Sequence, residues 1–278
     1  MINQDNNLNF CAKGSRRIGE DFIQETQFLA SLVNCIEIDF NYPHDADFKK
    51  EMSFLKRIKK EKNLRYTIHA QYLSGSINDL NEKIRKESIN QILKAIDNAF
   101  ELGADIVTLH PALEPYGLKL EKRKELELET YKKIASYASK NKVKIGLENE
   151  AQTCFWFPDR ACKFELLNKT ICEIDNKNFG MTLDIGHANV SGEDYIAAIK
   201  NYSAKIFHIH AHDNFGKPEN NLEHFDRPDP HLSPGEGVIN WKKVVDSLKE
   251  INYIGYFEIE CEPDKMEKAI KYIKSVNK

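Results

Sequence analysis

Short strand-like segments alternate with longer helical segments along the whole chain. Their hydrophobic positions and lengths distinguish the two kinds of element. The predicted strands are Leu8–Lys13, Cys35–Phe40, Arg65–Ala70, Asp105–His110, Lys144–Glu148, Gly180–Ile185, Ile206–His212 and Tyr256–Cys261. A helical segment follows each strand, which is the order expected of an α/β protein built from repeated strand–helix units.

Apolar residues three and four positions apart mark the helices. The spacing is clearest in the segment that contains Ile89, Ile92, Leu93, Ile96 and Phe100. Gly103 predicts the end of this helix, because glycine is favoured just after the last helical turn. The last predicted helix is Asp264–Val276, after the eighth strand.

Eight strand–helix units favour a closed parallel barrel over an open doubly wound sheet, which is the alternative. Neither a G-x-G-x-x-G motif after the first strand nor a G-x-x-x-x-G-K-[ST] motif occurs, so nucleotide-phosphate loops are not expected. Closed α/β barrels commonly have about 250 residues in one domain, and this chain has 278 residues without a linker or repeat. We therefore expect a single (β/α)8 TIM barrel domain that spans residues 1–278.

The composition indicates a globular protein without a marked charge. Hydrophobic residues make up 41% and charged residues 30%, and the formal net charge of −3 gives no general attraction to nucleic acid. No apolar run approaches the length of about 18 residues that a membrane span needs. The N-terminus lacks the pattern of a signal peptide, and the six cysteines include no C-x-x-C pair. We therefore expect a cytoplasmic protein with free thiols rather than a disulfide framework.

Side chains that can bind metal lie at the ends of six successive predicted strands. They are His69, His110, Glu148, Asp184, His210 and Glu260. In a barrel of this kind the C-terminal ends of the strands share one face, which carries the active site. Burial of so many unpaired carboxylates and imidazoles would be prohibitive, so the pattern predicts a divalent cation. Imidazole and carboxylate ligands suit Zn²⁺, Mn²⁺ or Fe²⁺.

Three histidines alternate along the seventh strand and therefore share one face. Successive residues on one face stand about 6.6 Å apart, so His208, His210 and His212 cannot all bind one ion. We predict that His210 is the ligand. If Glu260 is level with His210, then His208 is level with Glu258, one layer deeper. A buried His208–Glu258 pair that supports the ligands is one interpretation, and separate packing in the core is the other.

The order of the motifs resembles that of the xylose isomerase-like barrels, which include sugar and sugar-phosphate isomerases and epimerases and the endonuclease IV nucleases. The resemblance covers essentially the whole chain and rests on His-Pro, Leu-Glu-Asn, Leu-Asp-Ile-Gly-His, His-x-His-Asp-Asn, Asp-x-His with Gly-Glu-Gly, and a final Glu. It implies one metal ion bound by Glu148, Asp184, His210 and Glu260. It also implies that Glu148 and Glu260 move the proton of the carbon being inverted, while the metal polarises the neighbouring carbonyl and hydroxyl.

The endonuclease IV pattern adds five ligands and implies three zinc ions. The chain has all five residue types at the matching positions, namely His69, His110, His187, Asp229 and His231. By this resemblance the first two join Glu148, as a bridging ligand, at one ion, and the other three hold the third ion. Tyr72 also matches a residue of that active site. We therefore expect one to three divalent ions, Zn²⁺ or Mn²⁺, and prefer a multinuclear site.

Two segments are candidates for substrate binding. Lys13, Arg16 and Arg17 follow the first strand and precede a helix start, an arrangement that can bind a phosphate. A solvated loop with surface cations is the alternative. Trp156 follows the fifth strand, where it would form an apolar wall or lid, or else pack beneath a loop.

The predicted rim loops are acidic, which disfavours a nucleic-acid partner because duplex binding needs Lys and Arg facing the phosphates. These acidic residues are Asp45, Asp47, Asp79, Glu82, Glu114, Glu219, Glu223 and Asp226. We therefore predict a metal-dependent isomerase or epimerase of a small sugar, sugar phosphate or polyol. An endonuclease IV-like phosphodiesterase that cleaves DNA at abasic sites is the alternative. A barrel that binds metal and ligand without turnover is a third class, for which the sequence offers no support. The oligomeric state is not specified by the sequence.

Overall fold

The computed structural model describes residues 8–14, 20–39, 48–70, 76–114, 120–152, 158–217 and 229–277. Within these ranges eight parallel strands form a closed barrel in chain order, with β8 paired to β1. The strands are β1 (Asn9–Lys13), β2 (Cys35–Asp39), β3 (Arg65–His69), β4 (Ile106–Leu109), β5 (Lys144–Glu148), β6 (Phe179–Asp184), β7 (Ile206–Ala211) and β8 (Tyr256–Ile259). The closed order confirms the predicted barrel and excludes the open doubly wound sheet.

Helices connect the strands and pack on the outside of the barrel. They are α1 (Glu20–Leu32), α2 (Phe48–Lys62), α3 (Glu82–Leu102), α4 (Leu120–Lys140), α5 (Asp159–Cys162), α6 (Phe164–Ile174), α7 (Ile185–Ser191), α8 (Tyr195–Asn201), α9 (Trp241–Glu250) and α10 (Met266–Val276). A short 3-10 turn at Pro263–Lys265 precedes α10, in the place where the sequence predicted the start of the last helix. None of the helices in the described ranges combines the length and the apolar character of a membrane span.

Helix α3 illustrates how local signals fix an element. The side chain of Asn81 caps its start by accepting a hydrogen bond from the backbone N–H of Lys83, and Gly103 ends it in the left-handed conformation with φ of 62°. The buried face contains Ile92, Ala95, Ile96 and Ala99. Phe100, which the apolar spacing placed on the same face, is instead 61% exposed. Phe100 follows the buried Ala99 by one residue, about 100° around the helix, and therefore lies beyond the edge of the buried face.

The two faces of the strands differ in character. The outward face is aliphatic and forms one core with the helices, as in Ile68, Leu147 and Leu183. The inward face is polar: Thr108 Oγ1 lies 3.0 Å from Thr182 Oγ1, although β4 and β6 are not neighbours in the sheet. The interior of the barrel is therefore a polar floor beneath the strand ends, rather than the stack of aliphatic side chains common in such barrels.

Candidate metal centre

All nine predicted metal ligands lie in the described part of the chain, and the structure brings them together at the C-terminal mouth of the barrel. The strand-end ligands are buried; Glu148 is 1% exposed, and Asp184 and His210 are fully enclosed. His231, on the segment after β7, is the most accessible of the nine, with 32% of its side chain exposed. Their nitrogen and oxygen atoms fall into overlapping donor groups; three of these groups contain eight of the nine ligands, and Glu260 belongs to a further group with Asp184 and His212.

The first group contains His69, His110 and Glu148. The Nε2 atoms of the two histidines are 3.1 Å apart, and Glu148 Oε2 lies 3.4 Å from the first and 3.3 Å from the second. Each ring is fixed through its other nitrogen, because His69 Nδ1 lies 2.9 Å from the carbonyl oxygen of Ala70 and His110 Nδ1 lies 2.6 Å from Glu150 Oε1. Both acceptors need a donor, so they place the proton on Nδ1. The Nε2 lone pairs then point towards one place.

This geometry fits a divalent cation without rearrangement. Two imidazole lone pairs that face each other at 3.1 Å repel unless a cation or a proton lies between them. Ligand atoms about 2.0–2.1 Å from a tetrahedral Zn²⁺ stand about 3.3–3.4 Å from one another. The three separations in the group, 3.1, 3.3 and 3.4 Å, match that value.

The second group contains Glu148, Asp184 and His210. His210 Nδ1 lies 2.9 Å from Glu148 Oε1 and 3.9 Å from Asp184 Oδ2, and Glu260 Oε2 is also 3.9 Å away. Asn149 holds Asp184 in place, donating to its carbonyl oxygen at 2.9 Å and accepting from its backbone N–H at 2.8 Å. Glu148 presents Oε2 to the first group and Oε1 to the second, which is the arrangement that a bridging ligand requires.

The third group contains His187, Asp229 and His231, together with His212, which the sequence analysis did not assign. Asp229 Oδ2 lies 3.3 Å from Nε2 of His187 and 3.3 Å from Nε2 of His231. His187 donates from Nδ1 to the carbonyl oxygen of Asn149 at 2.9 Å, so Nε2 is the nitrogen that faces Asp229 and would be available to a metal ion. The ring of His212 stacks on that of His231, with their centroids 3.9 Å apart.

His212 lies between the second and third groups. Its Nε2 is 3.1 Å from Asp184 Oδ1 and its Nδ1 is 3.4 Å from Asp229 Oδ1. The spacing along β7 argues against His210 and His212 binding one ion, but it does not separate His212 from the predicted ligands Asp184 and Glu260, with which it forms a further donor group. One sequence signal is Gly186 in the Asp-Ile-Gly-His motif, because a Cβ at this position would lie 2.1 Å from the His212 ring.

The position of Glu258 relative to the histidines of β7 differs from the prediction. The register pairs His210 with Glu258 and His208 with Tyr256, so the expectation that Glu260 is level with His210 is wrong. A shift of two residues keeps the same side chains inside the barrel, because side chains alternate with a period of two. Glu258 Oε2 therefore still reaches His208 Nε2 at 3.2 Å, and it also reaches His210 Nε2 at 2.9 Å.

Of the predicted substrate-binding residues, only Lys13 lies within the described ranges; Arg16, Arg17, Tyr72 and Trp156 lie outside them. Lys13 Nζ is 3.0 Å from Glu260 Oε1 and 3.3 Å from Glu37 Oε1, with 7% of the side chain exposed. In this structure the ammonium group thus neutralises carboxylates inside the barrel. Its role in phosphate binding stays a prediction.

The charges of the site are strongly coupled. Burial raises the pKa of Glu148, but the charge of His210 and hydrogen bonds from His210 and His69 outweigh it and hold this pKa well below its usual range. Burial also raises the pKa of Glu260, and Lys13 is the largest of the charges that bring it well below the usual range. Burial lowers the pKa of His210, but Glu258 and Glu148 raise it well above its usual value. The metal-free site therefore holds protons that a cation would displace.

Asp213 anchors the segment that carries Asp229 and His231, a role that the sequence analysis missed. Its carboxylate accepts hydrogen bonds at 2.8–3.1 Å from the backbone N–H groups of Asn214, Gly235 and Ile239 and from Trp241 Nε1. Its backbone exchanges two hydrogen bonds with Leu232, of 2.7 and 2.8 Å. Because His231 directly precedes Leu232, this bridge fixes one side of the third group.

Among known proteins, the chain is similar to sugar-modifying enzymes and to uncharacterized proteins. It is 33% identical over 215 residues to an uncharacterized protein of Methanocaldococcus jannaschii, covering 76% of this chain and 69% of the relative. It is 22% identical over 255 residues to the inosose dehydratase of Geobacillus thermodenitrificans, covering 85% and 80% of the two chains. A solved structure described as a D-tagatose 3-epimerase-like protein superposes with a TM-score of 0.82 at 27% identity, covering 97% of this chain and 98% of the other.

The family comparison covers most of the chain. Residues 27–276 match the xylose isomerase-like TIM barrel, a range that runs from α1 to the end of α10 and includes every predicted metal ligand. Together with the closed barrel and the donor groups at its mouth, this match shows that the chain belongs to the xylose isomerase-like TIM barrel family.

Proposed function

We propose that this protein is a divalent-metal-dependent isomerase or epimerase that acts on a sugar, a sugar phosphate or a related polyol. The observation that carries the proposal is the pair Glu148 and Glu260, two buried carboxylates that both lie within 4 Å of His210 Nδ1 among the metal donors. The epimerase-like structure and the inosose dehydratase relative support it. Epimerisation next to a carbonyl, and dehydration next to one, both begin with removal of a carbon-bound proton.

The two carboxylates are suited to accept and return such a proton. Both are ionised near neutral pH, because the surrounding cationic groups hold the pKa of each well below its usual range. A carboxylate of low pKa is a weak base, so the substrate carbon must be made more acidic. A metal ion held by the donor groups would supply this acidity by polarising the adjacent carbonyl.

Glu260 is held in place from two directions. Lys13 Nζ lies 3.0 Å from Oε1, and His231 Nδ1 lies 3.5 Å from Oε2. Glu148 belongs to β5 and Glu260 directly follows β8, so they enter the mouth of the barrel from different parts of the sheet. General acid–base transfer with inversion needs carboxylates on two sides of one carbon, and the origin of the two glutamates on separate strands supports this role.

One observation favours the alternative, an endonuclease IV-like phosphodiesterase with three zinc ions. All the ligand types of that pattern converge at the mouth of the barrel in several overlapping donor groups, which one sugar-isomerase metal does not require. The acidic residues that the sequence predicts for the rim, five of which lie outside the described ranges, argue against it, because each phosphate that a protein neutralises needs a cationic partner and adds about 0.9 to the log–log salt slope of DNA binding. We therefore expect duplex binding at physiological salt to be weak or undetectable.

The deciding experiment follows carbon-bound protons. The metal-loaded protein is incubated in D₂O with a panel of ketoses, ketose phosphates and inososes, and deuterium entry is followed by NMR. We expect deuterium in one substrate class, and a loss of about 10²–10⁴ in the exchange rate for Glu260→Gln. Glu262→Gln is the matched control, because Glu262 lies two residues further on and is exposed.

The same metal-loaded sample is tested on duplex DNA with one abasic site. Incision of this duplex without deuterium entry into any substrate of the panel would overturn the proposal in favour of the phosphodiesterase. Deuterium entry without incision supports the isomerase or epimerase.

A further inference from the structure

Beneath the predicted metal donors lies a second set of acidic and imidazole side chains that the proposed chemistry does not use. Glu37, His208 and Glu258 are fully buried in the polar floor of the barrel, and His210 joins them from above. We propose that Glu258 is a positioning residue that orients His210 for metal binding, and that Glu37 and His208 support it without binding an ion of their own. This inference rests on the metal dependence in the proposed function.

The contacts give the two nitrogens of His210 separate roles. Nε2 faces the floor, 2.9 Å from Glu258 Oε2. Nδ1 faces the C-terminal mouth of the barrel, 2.9 Å from Glu148 Oε1 and 3.9 Å from Asp184 Oδ2. The contact of Nε2 with Glu258 is an ion pair rather than an aligned hydrogen bond, and the negative charge of the carboxylate favours a proton on Nε2. With the proton there, the Nδ1 lone pair is left for the other donors, and the nearby carboxylate makes the imidazole a stronger ligand.

The floor holds Glu258 through a chain of hydrogen bonds. His208 Nε2 lies 3.2 Å from Glu258 Oε2 and 3.1 Å from Glu37 Oε2. The hydroxyl of Thr67 donates to the same oxygen of Glu37 at 3.0 Å. These contacts leave Glu258 little freedom to rotate, and its position therefore determines the plane of the His210 ring.

An ion in the floor itself is disfavoured by charge. Glu37, His208, His210 and Glu258 lie close enough together to act as one donor group. However, the ammonium of Lys13 lies 3.3 Å from Glu37 Oε1 and 4.0 Å from Glu258 Oε1, where it would repel a second cation. Its positive charge instead compensates the carboxylates of the floor.

His110 provides an internal comparison. Its Nδ1 lies 2.6 Å from the carboxylate of Glu150, whereas its Nε2 faces the first donor group. Glu150 thus contacts the nitrogen of His110 that faces away from the donor group, as Glu258 does for His210. The two carboxylates act on different predicted ions, so Glu150→Gln is a matched control for Glu258→Gln.

The test measures metal binding directly. Wild type, Glu258→Gln, Glu150→Gln and the double variant are loaded with Zn²⁺ and titrated with a chelator of known affinity, while bound zinc is counted by mass spectrometry. The Co²⁺-loaded forms are compared by visible absorption, which reports the ligands of each ion. Thermal unfolding of the metal-free proteins measures any general loss of stability. Glu258→Asp, which keeps the charge but withdraws the oxygens from His210, is a second variant.

We expect Glu258→Gln and Glu258→Asp to lower the affinity for one zinc ion about 10–100-fold. Glu150→Gln should lower the affinity for a different zinc ion, and the double variant should lower the affinity for both. Equal zinc affinity in wild type and both Glu258 variants would overturn the inference while leaving the metal-dependent function intact. A wild type with four ions, of which Glu258→Gln loses one, would show that the floor binds its own ion and would also overturn it. A wild type that binds no divalent metal would defeat the proposed function itself.

Discussion

Replacement of Gly186 by alanine tests how the Asp-Ile-Gly-His motif and His212 depend on each other. Gly186 lies in α7 with ordinary helical geometry, so helix propensity alone predicts that alanine stabilises the fold by about 0.5–1 kcal/mol. The new Cβ would, however, lie 2.1 Å from His212 Cε1 and 2.4 Å from both ring nitrogens. Carbon atoms in favourable contact are about 3.5–4.0 Å apart, so the ring would have to move by more than about 1 Å.

His212 has little room for such a movement. The ring is fully buried, lies between Asp184 and Asp229, and stacks on His231. Overpacking in an interior of this kind costs about 1–3 kcal/mol, which exceeds the gain in helix propensity. We therefore expect Gly186→Ala to lower the free energy of unfolding of the metal-free protein by about 1–2 kcal/mol, measured by urea denaturation at pH 7.

The control is the same substitution in a His212→Ala background. Without the ring the overlap disappears, and Gly186→Ala should become neutral or stabilise by up to about 1 kcal/mol. The reasoning is refuted if Gly186→Ala is at least as stable as the parent, or if its cost is the same with and without the His212 ring.

Two further predictions concern the third donor group. His231→Ala should lower bound zinc by about one ion per chain with little change in the unfolding temperature of the metal-free protein, because the side chain is 32% exposed; unchanged zinc content would indicate a role in substrate binding instead. Burial lowers the pKa of His212, but Asp184 and Asp229 raise it to about 9. The stabilisation from its proton, roughly 3 kcal/mol for a shift of this size, is fully present below about pH 6.5 and is lost as pH rises towards 9. Urea denaturation of the metal-free protein between pH 6 and 9.5 should therefore show falling stability, and a flat or rising profile would contradict this.

The alternation of elements was enough to predict the barrel, because each strand and helix has its own hydrophobic period. The prediction of Lys144–Glu148 coincides with β5, and the other seven strands overlap the predicted ranges with ends that differ by one or two residues. The strand ends also indicated which side chains share the mouth. Their convergence follows from the parallel sheet and needs no knowledge of side-chain contacts.

Contacts between strands that are distant in the chain could not be predicted in the same way. The level of Glu258 relative to His210 depends on the stagger of a closed barrel, which no local pattern encodes. The register shift between Met181 and Thr182 is another feature of this kind. The contact of the Lys13 ammonium with Glu260 Oε1, on the adjacent strand end, is a third such feature, because the sequence grouped Lys13 only with Arg16 and Arg17.

The hydrogen bonds of Asp213 have a consequence for how the segment after β7 can vary. Paired backbone hydrogen bonds between Asp213 and Leu232 join the two ends of the segment after β7, and Val238 N donates to the Asn214 carbonyl at 3.0 Å. The chain between such tethered ends can vary in length at a small entropic cost, about 0.6 kcal/mol for each doubling. This segment can therefore change in length while the hydrogen bonds of Asp213 keep His231 beside the other candidate donors. A barrel with this arrangement tolerates changes in one loop without a change in the residues of its candidate metal centre.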